Sequence, residues 1–227
     1  MTDGVDGRAG VELAALVRVV EALLADEGGC EWNRAQTPES LVTYLVEESS
    51  ELVEAIESGA PADRREELGD VLYQVVLHAA IAARAPAEGF DLADVVRDVA
   101  AKTVRRHPHV FADDEAADVD DIVRLWSAAK AREKADRRSA YDGVPLGLPA
   151  LARAQKVESR RRSTGQVTPP GAPVDGDDVL DVELAWGREL LARVDAATAE
   201  GLDAERALRR AVREREQQLR AGEARRP

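Results

Sequence analysis

Glu48 occupies a position that helical spacing reserves for an apolar side chain. Across LVTYLVEESSELVEAI (residues 41–56), Leu41, Tyr44, Leu45, Leu52, Ala55 and Ile56 fall on one stripe, with Glu48 in its middle and Glu51 at its edge. An ionised carboxylate on a core-facing stripe costs several kcal/mol unless it is paired or coordinates a metal. Candidate companions follow closely. Glu67 and Asp70 in DRREELGDVLYQ lie one helical turn apart, the spacing also shown by Glu48 and Glu51, and Gln74 continues their face. Fifteen residues separate Glu51 from Glu67, and the connection ESGAPAD is short, so the two helices are expected to be antiparallel neighbours with their acidic pairs facing one another. Four converging carboxylates would raise one another's pKa. A divalent cation removes that conflict, and an all-oxygen set selects Mg²⁺, with Mn²⁺ as substitute, over Zn²⁺. A di-iron bundle would need a Glu-x-x-His pair, which this hairpin lacks. Glu47, Glu54, Glu57 and Glu66 are expected to form a solvated face.

A basic complement sits further along, in AAKTVRRHPHVFAD. Arg106 continues the apolar stripe through Val95 and Val99, with Lys102 at its edge. Cations at a helix C-terminus also answer the macrodipole; beside a carboxylate-bound metal, however, the pair makes sense as phosphate ligands. Trp126 and Lys130 repeat the aromatic-or-apolar and cation pattern four residues apart, with Trp126 open to a core role or to a base-stacking one. His78, His107 and His109 are read as structural.

The elements that must position these groups are helices. The spacing predicts helices over about 11–26, 38–57, 62–84, 92–106, 118–135 and 149–161, with Thr37-Pro38 as N-cap and first residue of the second. The third is apolar nearly all round from Leu68 onward, as befits the central helix of a bundle. Residues 162–178 (RSTGQVTPPGAPVDGDD) read as a linker. Two further helices, about 179–199 and 203–223, form the tail, and no alternating strand pattern of any length appears. The fold class is all-α.

Composition limits the partners. With 44% hydrophobic but only 4% aromatic residues, the core rests on Leu, Val and Ala. A net charge of −13 argues against a nucleic-acid partner, whose phosphates need Lys and Arg, but not against a small anion held through metal ions. The lone Cys30 precludes an intrachain disulfide and fits a reducing compartment. With no apolar run near the ~20 residues of a membrane span and no signal peptide, the expectation is a cytoplasmic protein without a membrane partner.

Taken in order, EESSE (Glu47–Glu51) and ELGD (Glu67–Asp70) resemble the E-E-x-x-E … E-x-x-D pattern of MazG-type nucleoside triphosphate pyrophosphohydrolases. The flanks GGCEWNRAQTPESL, VLYQVVLHA, KTVRRHPHVFAD and LPALARAQKVESRR agree, so the resemblance covers about residues 11–161. It implies an all-α helical bundle with helices packed across an oligomer interface, a homodimer or higher homo-oligomer. The implied activity is Mg²⁺-dependent cleavage of nucleoside triphosphates between the α and β phosphates, giving the monophosphate and pyrophosphate. By the same resemblance, Glu48, Glu51, Glu67 and Asp70 would be the metal ligands and catalytic groups, and Lys102, Arg106, Trp126 and Lys130 substrate contacts. Two departures stand out. Glu31 and Asn33 replace the proline and aspartate of a G-C-P-W-D loop, and VELAWGRELLARV (182–194) resembles a worn second copy of the repeat, with Arg188 in place of its aspartate. The expected organisation is therefore a catalytic domain over 1–161, a linker over 162–178, and a degenerate second repeat over 179–227 that serves packing or dimerisation. The competing reading is a non-catalytic nucleotide binder or helical oligomerisation protein descended from such an enzyme.

Overall fold

The computed structural model describes residues 3–85, 89–133, 139–165 and 179–223. All regular structure among them is helical: α1 (Asp3–Leu24), α2 (Glu31–Arg34), α3 (Val42–Ser58), α4 (Pro61–Arg84), α5 (Leu92–Arg106), α6 (Pro108–Phe111), α7 (Val119–Arg132), α8 (Ala150–Ser163), α9 (Val179–Ala199) and α10 (Ala204–Glu223). The chain divides into two compact units, residues 1–132 and 133–227, so α8 groups with α9 and α10.

In the first unit α4 is central, packing against α1, α3 and α5. Its core comprises Val20 and Leu24 of α1, Leu41 just before α3, and Val76 and Leu77 of α4, with Tyr73, Ile81 and Leu92 packed around them. Each fully buried Leu or Val contributes about 1.5–3 kcal/mol relative to an exposed one, so this short list supplies much of the unit's cohesion. The α3–α4 connection is tight. Pro61 opens α4, Asp63 accepts a hydrogen bond from the Ala60 amide at 2.7 Å, and a Cβ on Gly59 would come within 2.8 Å of the Ala55 backbone. Only glycine lets the chain turn that close to α3. Asp91 caps α5 through a reciprocal pair of bonds with Asp94.

The stretch before α3 departs from the expected helix start. Thr37 and Ser40 bond each other's backbone amides through their hydroxyls, and helix begins only at Val42. These local side-chain bonds compete with helical ones. The preceding loop contains the unexpected one-turn helix α2, and it is pinned in several places. Cys30 N–H donates to Leu23 O, Arg34 bonds Asp26 O, and Tyr73 Oη donates to Asn33 Oδ1 at 3.1 Å, leaving Asn33 buried. Ile56, placed on the inward stripe by spacing, is 58% exposed, whereas its neighbour Ala55 is the residue of that turn that α4 buries.

The second unit joins α8 to α9 and α10. Arg161 pairs with the buried Glu158 and with Asp195, which also pairs with Arg162. Gln155 bridges the α9–α10 connection, donating to Leu202 O and accepting from Ala204 N–H. Helix α8 runs to Ser163, so the first two residues of the expected linker are helical; residues 166–178 of that linker lie outside the described residues. No helix among the described residues is long and apolar enough to cross a membrane.

Candidate functional site

The α3–α4 hairpin carries the acidic groups. Because α3 and α4 run antiparallel through a two-residue turn, a step back along α3 is matched by an equal step forward along α4. The match starts at Ala55 and Asp63 beside the turn, which line one small cleft with Glu51 and Glu67, and ends at Leu41 and Leu77, which share the buried core. Midway, one carboxylate oxygen from each of Glu48, Glu67 and Asp70 lies within 4.8 Å of the others. Glu51 is exposed and stands beside this group, close enough for its charge to raise the pKa of both Glu48 and Glu67.

The electrostatics are those of an uncompensated acidic site. Desolvation, then the charges of Asp70, Glu51, Glu47 and Glu67, push the Glu48 carboxyl above the ordinary carboxylate range. Glu67 is raised by desolvation and then by Glu51 and Asp70. Glu67 Oε2 is shut off from solvent with no hydrogen-bond partner among the described residues. A buried, unsatisfied carboxylate oxygen is what a cation would satisfy, and neighbouring oxygens at this separation need only side-chain adjustment to enclose a small hard ion. The residues therefore fit a divalent metal. The set is all oxygen, as Mg²⁺ or Mn²⁺ prefers.

The basic residues gather elsewhere in the same unit, on α5 and α7. The Trp126 ring is half-buried and holds two cations over it, the Arg106 guanidinium carbon at 5.5 Å and Lys130 Nζ at 4.6 Å from its centroid. Such contacts hold both cations in place at about 0.5–1 kcal/mol each where exposed. Lys102 is exposed one turn before Arg106. Thus the carboxylates assemble on one helix pair, while Arg106, Trp126 and Lys130 assemble on another. Among the histidines, His107 Nδ1 lies 2.7 Å from Thr103 O, while His78 Nε2 and His109 Nδ1 are buried without partners among the described residues.

Two features had no counterpart in the spacing argument. Trp32 and Tyr44 meet edge to face at 5.5 Å, one turn before Glu48, and the Tyr73–Asn33 bond anchors the loop that carries Trp32. The only available signal was the aromatic content of EWN and VLYQ in a chain poor in aromatics.

Residues 36–111, which hold the whole acidic group and Lys102 and Arg106, match the MazG nucleotide pyrophosphohydrolase domain. The chain is 37% identical over 219 residues to the nucleoside triphosphate pyrophosphohydrolase/pyrophosphatase MazG of Thermotoga maritima, covering 90% of this chain and 83% of that protein. This chain belongs to the MazG family. It is also 35% identical over 229 residues to the nucleoside triphosphate pyrophosphohydrolase of Escherichia coli, covering 92% of this chain and 86% of that one. An uncharacterised 26.1 kDa protein of Streptomyces cacaoi is 43% identical over 210 residues, 92% of this chain and 83% of its own length. MazG proteins are hydrolases acting on phosphoric anhydrides, so an all-α enzyme of that class is the frame in which the acidic group is to be understood.

Proposed function

We propose that this MazG-family chain hydrolyses nucleoside triphosphates to the monophosphate and pyrophosphate, by water attack at the α-phosphorus in a Mg²⁺-dependent reaction. The observation that carries this reading is the group of Glu48, Glu67 and Asp70, mutually close, half-desolvated at Glu48 and Glu67, and without a cationic side chain paired to any of them among the described residues. Glu48, Glu67 and Asp70 would hold the metal, with Glu51 completing the ligand set or acting on the attacking water. A bound divalent cation supplies Lewis-acid polarisation of the phosphate and a lowered pKa for water. Glu51, exposed beside the group, would accept the proton of that water. Lys102 and Arg106 would balance charge on the departing pyrophosphate, and Trp126 with Lys130 would complete the substrate contacts, Trp126 also holding Arg106 in position. A cytoplasmic setting suits the free Cys30 thiol and a triphosphate substrate.

We further infer a homodimer or larger homo-oligomer. Leu68, Leu72 and Val75, at i, i+4 and i+7 of α4, stay 57%, 43% and 39% exposed although their helix is the unit's central one. A second copy packing there would remove this apolar row from water.

The deciding experiment incubates the full chain with each nucleoside triphosphate and Mg²⁺ and identifies the products. Monophosphate plus pyrophosphate is the expected outcome. Diphosphate plus orthophosphate, or tight nucleotide binding with no hydrolysis, would overturn the proposal.

A further inference from the structure

Gln74 is 4% exposed, and its Oε1 accepts no hydrogen bond from any described residue. A buried amide oxygen left unsatisfied costs about 1–3 kcal/mol, so such atoms normally have a partner. Its place in the hairpin says what that partner is. Gln74 stands one helical turn beyond Asp70 on α4, and counting on from Glu48 and Asp70 in antiparallel register puts Tyr44, one turn before Glu48, at the matching position of α3. Tyr44 in turn meets Trp32 edge to face. The acidic group therefore has two unlike flanks. Towards the turn lie Glu54, Asp63 and Ser58, around a cleft of about 310 Å³ that offers no wall to a base and repels free phosphate. Towards the other end lie an uncharged amide and two aromatic rings.

We propose that Gln74 is a specificity-determining residue of the nucleotide site, its Oε1 accepting a hydrogen bond from a sugar hydroxyl of the substrate, with the nucleoside lying on the Tyr44–Trp32 flank. The inference rests on the triphosphate reading given above. If the α-phosphate sits at the Glu48, Glu67 and Asp70 carboxylates, a sugar hydroxyl is reached a handful of bonds further on. That is about one helical turn, ~5.4 Å, the step from Asp70 to Gln74. A hydroxyl donates where a phosphate oxygen cannot, which is what an acceptor-only amide oxygen requires. Tyr44 is 36% exposed, and rotation of so accessible a side chain is fast enough to uncover Gln74 as the nucleotide enters.

The test uses the full chain with Mg²⁺ and the ribo-, 2′-deoxy and 3′-deoxy triphosphates of each base, measuring kcat/KM, together with the affinities of the α,β-methylene analogues, which are not turned over. Wild type is expected to favour substrates bearing one particular hydroxyl by about tenfold. Gln74→Met, close in volume but lacking the acceptor, should lower kcat/KM and analogue affinity for those substrates by the same factor. It should leave the analogue without that hydroxyl unaffected, and it should leave the Mg²⁺-induced rise in Tm in place. Equal treatment of all three sugars by wild type overturns the inference, and does so even if Gln74→Met fails to fold. A uniform loss on all three sugars in Gln74→Met overturns it as well. Hydrolysis without hydroxyl discrimination sinks this inference alone, whereas absence of hydrolysis on every triphosphate sinks the functional reading beneath it.

Discussion

At the scale of single residues, Glu48 and Asp70 carry the sharpest expectations. Glu48→Gln keeps the shape of the side chain and Asp70→Ala truncates a group at the edge of the core, so neither should unfold the chain. Each should lower kcat by at least ~100-fold with Mg²⁺, the scale expected when a metal-ligating group is lost. Rates near wild type in either variant would remove the metal assignment. A stability measurement separates the same residues from ordinary surface acids. Glu48 has a folded-state pKa raised above its unfolded value, chiefly by desolvation and then by Asp70 and Glu51. A raised carboxyl destabilises the fold wherever it must ionise, so its cost is present at neutral pH and disappears below the unfolded-state pKa. Metal-free Glu48→Gln should therefore melt above wild type at pH 7.5, with the gain gone below the unfolded-state carboxyl pKa, near pH 4. Adding Mg²⁺ at pH 7.5 should reverse the order, since only wild type retains the full ligand set. Thermal melts at the two pH values, with and without Mg²⁺, check both signs.

At the scale of elements, the hairpin is a ruler whose divisions are helical turns. One end is held by Leu41 against Leu77, both fully buried, and the other by the Gly59 turn. Leu77→Ala should cost about 2–5 kcal/mol in urea unfolding, because the site is too well enclosed to collapse around the vacancy. A subtler dependence runs through Tyr73, whose hydroxyl holds Asn33 and with it the Trp32 loop. Tyr73→Phe should cost about 1 kcal/mol. It should leave Mg²⁺ stabilisation intact, and a change in Trp32 fluorescence would report the loosened loop. Much of this level was legible beforehand. Helices α5 and α9 match their expected bounds, and α4 nearly so, since amphipathic periodicity and caps are local properties of the chain. The start of α3 was not legible, because Thr37-Pro38 is a good helix opening in isolation. The reciprocal Thr37–Ser40 bonds hold the chain as a turn instead, and Leu41 enters the core from just outside the helix.

At the scale of the molecule, the exposed row of Leu68, Leu72 and Val75 is the surface on which the proposed self-association is tested. Leu72→Glu places a charge in the middle of that row. Sedimentation should show wild type as a dimer or larger species and the variant as a monomer with its helical content unchanged. An unchanged association state would mean that self-association uses another surface. The second unit is held together largely by polar contacts, with Val194 buried and Trp186 63% exposed. Glu158, Arg161, Arg162 and Asp195 tie α8 to α9, and Gln155 ties both to the start of α10.

The amino-acid sequence by itself determined the helical class, the two acidic pairs and the family pattern, because each depends on spacings within a few turns of one helix. It could not decide which carboxylates meet. Glu48, Glu67 and Asp70 bring oxygens within 4.8 Å of one another with Glu51 beside them, an arrangement set by the rotation of α3 against α4, and hence by how Leu41, Leu77 and Gly59 pack. Nor could spacing show that Arg106 of α5 meets the Trp126 ring of α7, or that Gln74 is buried with its acceptor unfilled. Those are relations between side chains distant in the chain, and only close packing of the helices brings them into being.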